Sequence, residues 1–377
     1  MPSGGSNAVA AWTLQALRDD LDLSLATLAP VDCAGLNLSF GTALREEDFQ
    51  VRVAPRGLQK MSSRLPTRGA LVDLCLTMRW AQELDRQNRY DALFSTENEM
   101  DFHRRGIQYI HHPWLYLPRP DAEMHWYHRI PGTLAVYRKS CLMLAHASAR
   151  GLSENVTLAN SRFVADRFRS VYGTCAAVVC PPVPGDFQNL PWEQRRNAVA
   201  AVGRIDPIKR WEFAVETVES LRQRGHDLEL TLMGHSNSPS YVARMEAMST
   251  SRPWFRVIRD VSRTDLLAEL SRHRYGIHPM EDEHFGIAPA EMLRAGCLPF
   301  VHNSGGAVEI VGGDSRLTFE GVNDASLKIA NVLENPALER ELRAQMGERR
   351  DEFTTEKFCR SVQQIVAQFV QDGAGRT

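Results

Sequence analysis

The chain has 377 residues, 43% of them hydrophobic and 24% charged, with a net charge of −2. That length exceeds one ordinary core and suits two domains, and the charge balance excludes a field that would draw nucleic acid to the whole molecule. No apolar run of 18 residues and no basic-then-apolar start occurs, so a cytoplasmic protein without a membrane span is expected.

In chain order, Pro2-Ser3-Gly4-Gly5-Ser6-Asn7 has the composition of a glycine-rich loop, and the pattern behind it predicts a helix over 8–17 and a strand over 23–28. A long amphipathic helix is expected over 71–87. Short strands follow over 91–95, 106–110, 155–159 and 176–180. Residues 181–196 are rich in proline and polar side chains, have no period of their own, and read as an interdomain linker. Beyond it the alternation is regular. Strands over 197–202, 228–233, 255–259, 275–279 and 298–302 are separated by helices over 211–224, 241–248, 263–272 and 287–295. More helices run from 325 onward. Strands alternating with helices at this spacing mean parallel sheets covered on both faces. The predicted fold class is therefore α/β, with two doubly wound Rossmann-like domains facing a central cleft. The expected boundaries are 1–185, 186–355 and a terminal helix over 356–377 that packs back on the first domain. Ligands of such domains sit outside the carboxyl ends of the strands. The seven cysteines are scattered, with no Cys-x-x-Cys pair, which argues against a zinc knuckle or a disulfide framework. Only five of the 44 basic residues are lysine.

Three constellations carry chemistry. Gly203-Arg204-Ile205-Asp206-Pro207-Ile208-Lys209 leaves a strand and opens a helix, so Arg204 and Lys209 lie where a diphosphate could meet both a guanidinium fork and a compact ammonium. As two isolated cations they would be only a solvated basic loop. In Pro279-Met280-Glu281-Asp282-Glu283-His284-Phe285-Gly286-Ile287-Ala288-Pro289-Ala290-Glu291, a strand runs through an acidic loop into a helix. The backbone of His284, Phe285, Gly286 and Ile287 then offers a helix amino terminus to an anion. Glu283 and Glu291 flank that terminus, and ionised carboxylates are strong acceptors for sugar hydroxyls. Ser304-Gly305-Gly306-Ala307-Val308-Glu309 permits close backbone approach, although a simple turn accounts for the glycines as well.

Together, in this order and spacing, these residues resemble the donor domain of family 4 retaining glycosyltransferases, which have the GT-B fold. The likeness covers 199–311. It implies that Arg204 and Lys209 bind the donor diphosphate with the 284–287 backbone, that Glu283 takes the donor sugar hydroxyls, and that Glu291 takes the ribose. A thinner likeness covers Asn160-Ser161-Arg162-Phe163, Val178–Val183 and Tyr109-Ile110-His111-His112-Pro113. It implies a catalytic role for His111 beside Glu283, with His112 the substitute and a hydrogen-bonded strand-end histidine the plain alternative. Tyr109–Pro113 and Pro181-Pro182 also resemble the mannosyltransferases that extend dolichol-linked oligosaccharides from GDP-mannose. The implied activity is a retaining transfer of a hexose, or specifically mannose, from a nucleoside-diphosphate sugar. No metal is implied, and no cofactor beyond that co-substrate.

The acceptor is open between a glycan, a lipid-linked chain and a small molecule. Peripheral association with the inner membrane face is a further expectation, and Trp114, Tyr116, Trp126 and Tyr127 are candidates for a lipid-facing surface. In the family a central strand leads into the glycine loop, here Gly4 and Gly5. The expectation is that roughly ten further residues stand upstream, and that without them a gap lies beside the 23–28 strand and Gly4–Asn7 is poorly anchored. Two rival readings use the same residues: a non-catalytic GT-B-like protein that binds a sugar nucleotide, and a sugar-nucleotide epimerase.

Overall fold

The computed structural model describes residues 4–64, 70–113, 130, 132–236 and 238–374. The chain divides into two compact units. One comprises Met1–Pro182 with Thr355–Thr377, and the other comprises Val183–Thr354.

The second unit is one six-stranded sheet. Its strands are β7 (Arg196–Val202), β8 (Glu229–Gly234), β9 (Phe255–Arg259), β10 (His273–His278), β11 (Leu298–His302) and β12 (Thr318–Phe319). The order is β12-β11-β10-β7-β8-β9, and every pairing is parallel. β7 is central, and its Ala198–Val202 stretch is buried on both faces. A continuous apolar run is what a strand covered by helices on both sides requires. The helices begin at recognisable caps. Ser262 accepts from the Asp265 N–H, and Asn335 accepts from Ala337 and Leu338 just ahead of Pro336.

One buried titratable group ties this sheet to pH. His273 is fully buried; its Nδ1 lies 2.8 Å from the Glu269 carbonyl, so Nδ1 donates and Nε2 accepts from the Thr231 hydroxyl at 3.0 Å. Burial, the largest influence, holds this imidazole neutral and its pKa below the ordinary range. The unfolded chain takes up a proton that the folded chain refuses. Stability is therefore full above about pH 6.5 and falls as pH drops below it, by up to about 1.4 kcal/mol per pH unit for one such group. The unfolding midpoint is expected to drop between pH 7 and pH 5, and less steeply in His273→Asn. A wild-type midpoint flat over that range would reject the assignment.

Among the described residues the first unit contains two parallel sheets. β1 (Ser24–Thr27) pairs with β2 (Gln50–Val53) alone, while β3 (Phe94–Ser95), β4 (Ile107–Ile110), β5 (Val156–Ala159) and β6 (Ala177–Val178) form the other in that order. Among the described residues β1 and β3 each keep one edge without a strand partner. The two sheets nevertheless share cores. Leu23 and Phe94 touch the cluster built from Val9, Tyr109, Leu158 and Val362, and Leu28 and Leu93 touch the one built from Leu76, Met78 and Phe102. The helix Thr355–Ala374 lays Phe358, Val362 and Val366, a four-residue period, against the helix Gly5–Leu17, and Gln363 donates to the Ala16 carbonyl at 2.8 Å.

The chain start differs from its expectation. Gly5, Ser6 and Asn7 form the first turn of the Gly5–Leu17 helix, and Gly4, with φ 108°, is its cap residue. The helix can extend past residue 8 because Ala8, Val9 and Ala11 bury its face. β2 and β12 were not anticipated. β2 is four residues with an exposed first half, and β12 is only two residues long.

Candidate functional site

β7 ends at Val202, and Gly203 (φ 148°) turns the chain away. A Cβ on Gly234, at the end of β8, would overlap the Gly203 carbonyl oxygen, so these two strand ends meet where only hydrogen fits. Asp206 then caps the short Pro207–Lys209 turn by accepting from the Ile208 N–H at 3.1 Å. Buried Trp211 opens the helix Trp211–Gln223 and donates from Nε1 to the Arg204 carbonyl at 2.9 Å. This fixes the loop that carries Lys209. The Lys209 ammonium donates to Glu283 Oε2 at 2.6 Å and lies 3.0 Å from the Met280 sulfur. Arg204 is exposed, and its guanidinium makes no hydrogen bond or ion pair among the described residues.

Glu283 has a second partner. His278, the last residue of β10, is fully buried and places Nε2 3.1 Å from the same Oε2. Burial lowers the His278 pKa and keeps the ring neutral, so Nε2 carries the proton and donates it to the carboxylate. Burial alone would raise the Glu283 carboxyl. Lys209 and His278 outweigh it and hold the group ionised, well below the usual carboxylate range. Oε1 accepts no hydrogen bond from the described residues, and the side chain stays 16% exposed. The cluster is therefore a neutral assembly of one cation, one anion and one uncharged ring, with one acceptor oxygen to spare.

The helix Ile287–Arg294 starts beside it. Gly286 is its cap residue in the left-handed region (φ 100°), with no side-chain cap. The backbone N–H groups of Ile287 and Ala288 are thus left open, while Pro289 has none to offer. Phe285 is buried, edge-on to Phe353 at 5.9 Å, so this residue contributes backbone rather than side chain. Gly305 and Gly306 have a definite task. A Cβ on Gly305 would overlap the Glu283 backbone, and one on Gly306 would overlap the His284 carbonyl. Gly306 N–H donates to the Glu283 carbonyl at 2.6 Å, and Ser304 Oγ accepts from the Asp282 N–H at 2.8 Å. The 304–306 segment is the bed on which the Glu283 loop rests.

Glu291, buried in the middle of that helix, is held by Arg263 at 2.5 Å, and Arg263 also donates to the Pro184 carbonyl at 2.8 Å. Sequence reasoning missed both Arg263 and His278. A histidine following the apolar Tyr275-Gly276-Ile277 run, five residues before Glu283, was the available signal. Arg263 gave none, since its contact with Glu291 is purely tertiary.

Gly4, Gly5 and His111 belong to the first unit. His111 directly follows β4; its N–H donates to Asn98 Oδ1 at 2.7 Å and its Nε2 donates to the Thr96 carbonyl at 3.0 Å. His112 is buried next to it. Trp114, Tyr116, Trp126 and Tyr127 lie outside the described residues.

Residues 184–353 match the family model for group 1 glycosyl transferases. Among curated proteins the chain is similar to the GDP-Man:Man(3)GlcNAc(2)-PP-Dol alpha-1,2-mannosyltransferase of Mus musculus, 25% identical over 174 residues, which is 41% of this chain and 35% of the relative. The chain spans about a third of the length of that relative. Among solved structures it is similar to sucrose-phosphate synthase from Thermosynechococcus elongatus, with TM-score 0.67 and 15% identity over 98% of this chain and 94% of the other. It is also similar to Anabaena HepE in complex with UDP, with TM-score 0.67 and 12% identity over 97% and 96% of the two chains. The chain has the GT-B fold, two Rossmann-like units with parallel sheets, and through residues 184–353 it is related to group 1 glycosyl transferases.

Proposed function

We propose that the chain is a retaining glycosyltransferase that moves a hexose, with mannose the first candidate, from a nucleoside-diphosphate sugar to a glycan, lipid-linked or small-molecule acceptor. The observation that carries this reading is the Lys209–Glu283–His278 cluster beside an uncapped helix amino terminus at the carboxyl ends of β7 and β10. The bond from the sugar anomeric carbon to the diphosphate breaks, a bond from that carbon to the acceptor oxygen forms on the same face, and the acceptor hydroxyl proton passes to an oxygen of the departing diphosphate. Negative charge then builds on the departing diphosphate. The open N–H groups of Ile287 and Ala288 are fixed in advance to meet it, and Lys209 and the exposed Arg204 lie within reach of it. Once Lys209 turns to phosphate, Glu283 is free to accept from sugar hydroxyls while His278 keeps it oriented. Glu291, steadied by Arg263, takes the ribose. His111 is the proposed catalytic partner from the first unit. Mannose is favoured because the curated relative uses GDP-Man by name. A cytoplasmic setting with peripheral contact at the inner membrane face belongs to the same proposal.

Calorimetric titration with GDP, UDP and ADP, followed by incubation with GDP-mannose and NMR of the products, tests it. Tight binding of one nucleotide and an α-linked product support the reading. No binding of any of them sinks it. Binding without transfer favours a non-catalytic sugar-nucleotide-binding protein, and a changed sugar still attached to nucleotide favours an epimerase. Glu291→Ala is expected to weaken the preferred nucleotide about tenfold, by the worth of a charge-assisted hydrogen bond, and to leave its 2′,3′-dideoxy analogue almost unaffected. An equal loss for both ligands removes Glu291 from the ribose.

A further inference from the structure

At the opposite, amino-terminal edge of the same sheet lies a cavity of about 550 Å³ lined by Arg195, Arg340, Arg343 and Arg350 together with Trp192 and Glu193. Four guanidinium groups face one carboxylate there. Arg195 stands directly before β7, is 5% exposed, and is fixed by three backbone carbonyls: Leu190 (3.1 Å), His273 (3.3 Å) and Ala295 (2.8 Å). Those bonds use its Nε and Nη1, leaving Nη2 with no acceptor among the described residues. Arg350 has less: its Nε is buried without a partner, and no side-chain hydrogen bond or ion pair to it is found among the described residues. The two groups converge on one point. A Cβ on Gly296 would stand 2.6 Å from Nη2 of Arg195 and 2.6 Å from Nη2 of Arg350, so only glycine leaves room for both. The Arg343 guanidinium carbon lies over Trp192, 4.2 Å from the ring centroid, and its Nη1 is 3.5 Å from Glu339.

Two desolvated cations facing one another, with free donors and no carboxylate between them, are unfavourable on their own. Burial is the largest cause that lowers the pKa of both Arg195 and Arg350; the charge of Arg343, and for Arg195 that of Arg350, adds to it, while Cys297 opposes it at both and Asp351 at Arg350. An oxyanion with several acceptor oxygens removes both costs, because planar guanidinium forks match it bidentately. We propose that this cavity binds a phosphoryl group, either inorganic phosphate or a phosphate monoester of a small metabolite, between Arg195 and Arg350, with Arg343 at the rim. The volume is that of a small-molecule site rather than of a bare ion. The site is separate from the Lys209–Glu283 cluster and does not depend on the function proposed for it.

Thermal unfolding of the whole chain in 10 mM inorganic phosphate, against sodium chloride of equal ionic strength, tests the site. Three proteins are compared: wild type, Lys209→Ala and Arg350→Met. Phosphate is expected to raise the midpoint by several degrees in wild type and in Lys209→Ala, as ligand linkage requires, and to have no effect in Arg350→Met. In chloride alone Arg350→Met is expected to melt no lower than wild type, because a like charge has been removed. A shift that survives Arg350→Met but vanishes in Lys209→Ala puts the anion at the other cluster and overturns the proposal. So does the absence of any shift, or an Arg350→Met protein that melts many degrees lower in chloride, which would make Arg350 a structural clamp. Glucose 6-phosphate producing the same shift at a tenth of the concentration identifies a monoester. Equal concentrations identify the free ion.

Discussion

Lys209→Ala is expected to weaken nucleoside-diphosphate binding roughly ten- to a hundredfold, the worth of one to two charge-assisted hydrogen bonds in a partly buried site. Lys209 is 14% exposed and already ion-paired to Glu283 at 2.6 Å, so the substitution acts twice. It removes the cation that meets phosphate, and it leaves the Glu283 carboxylate beside the ligand with only neutral His278 for support. Glu283 then takes up a proton more readily, and the affinity of the variant should improve as pH falls from 8 to 6 while wild type changes little. Lys209→Ala with Glu283→Gln isolates the second effect: removing the uncompensated charge should recover part of the lost affinity. Calorimetry with the preferred nucleotide reads all three. Affinity unchanged in Lys209→Ala would reject the site.

Gly306→Ala should be among the most damaging single methyl groups in the second unit. The new Cβ overlaps the His284 carbonyl, which is backbone and has no rotamer by which to move aside. The loop must shift, and the Gly306 N–H bond to the Glu283 carbonyl shifts with it. A loss of about 1–3 kcal/mol of stability is expected from overpacking of this kind, with a fall in nucleotide affinity from the displaced Glu283. Gly321→Ala is the control: a Cβ there meets nothing within 4 Å and its φ is −143°. Denaturant melts of both variants check the contrast. Equal stability would remove the glycine pair as the bed of the loop.

The second unit was largely legible in the sequence because buried parallel strands write themselves as apolar runs. The expected strands over 255–259 and 298–302 coincide with β9 and β11, and those over 197–202, 228–233 and 275–279 overlap β7, β8 and β10. Lys209 and Glu283 were both singled out, yet their ion pair was not, since nothing in a linear sequence brings residues 74 apart into contact. The glycine pair read as either a close backbone approach or a simple turn, and only the atoms opposite Gly305 and Gly306 decide for the first. The first unit was harder. β2 alternates Gln50 and Arg52 with its two valines, and its exposed first half leaves a mixed pattern that local reasoning takes for loop. The helix start at Gly5 went unseen because glycine disfavours helix, and tertiary burial of Ala8, Val9 and Ala11 overrides that preference.

The divided sheet of the first unit bears on how firmness is spread along the chain. In the second unit each interior strand is clasped from both sides, so none can leave without dismantling its neighbours, and the sheet should hold or fail as one. Among the described residues β1 and β2 have only each other across the ladder, and they stay in place through the side chains of Leu23, Leu25 and Leu28 rather than through a continuous network of backbone bonds. A piece attached in that way forms its own small cooperative unit, able to loosen while the rest of the domain remains intact. The segment between residues 24 and 53 is therefore where the folded protein should breathe first.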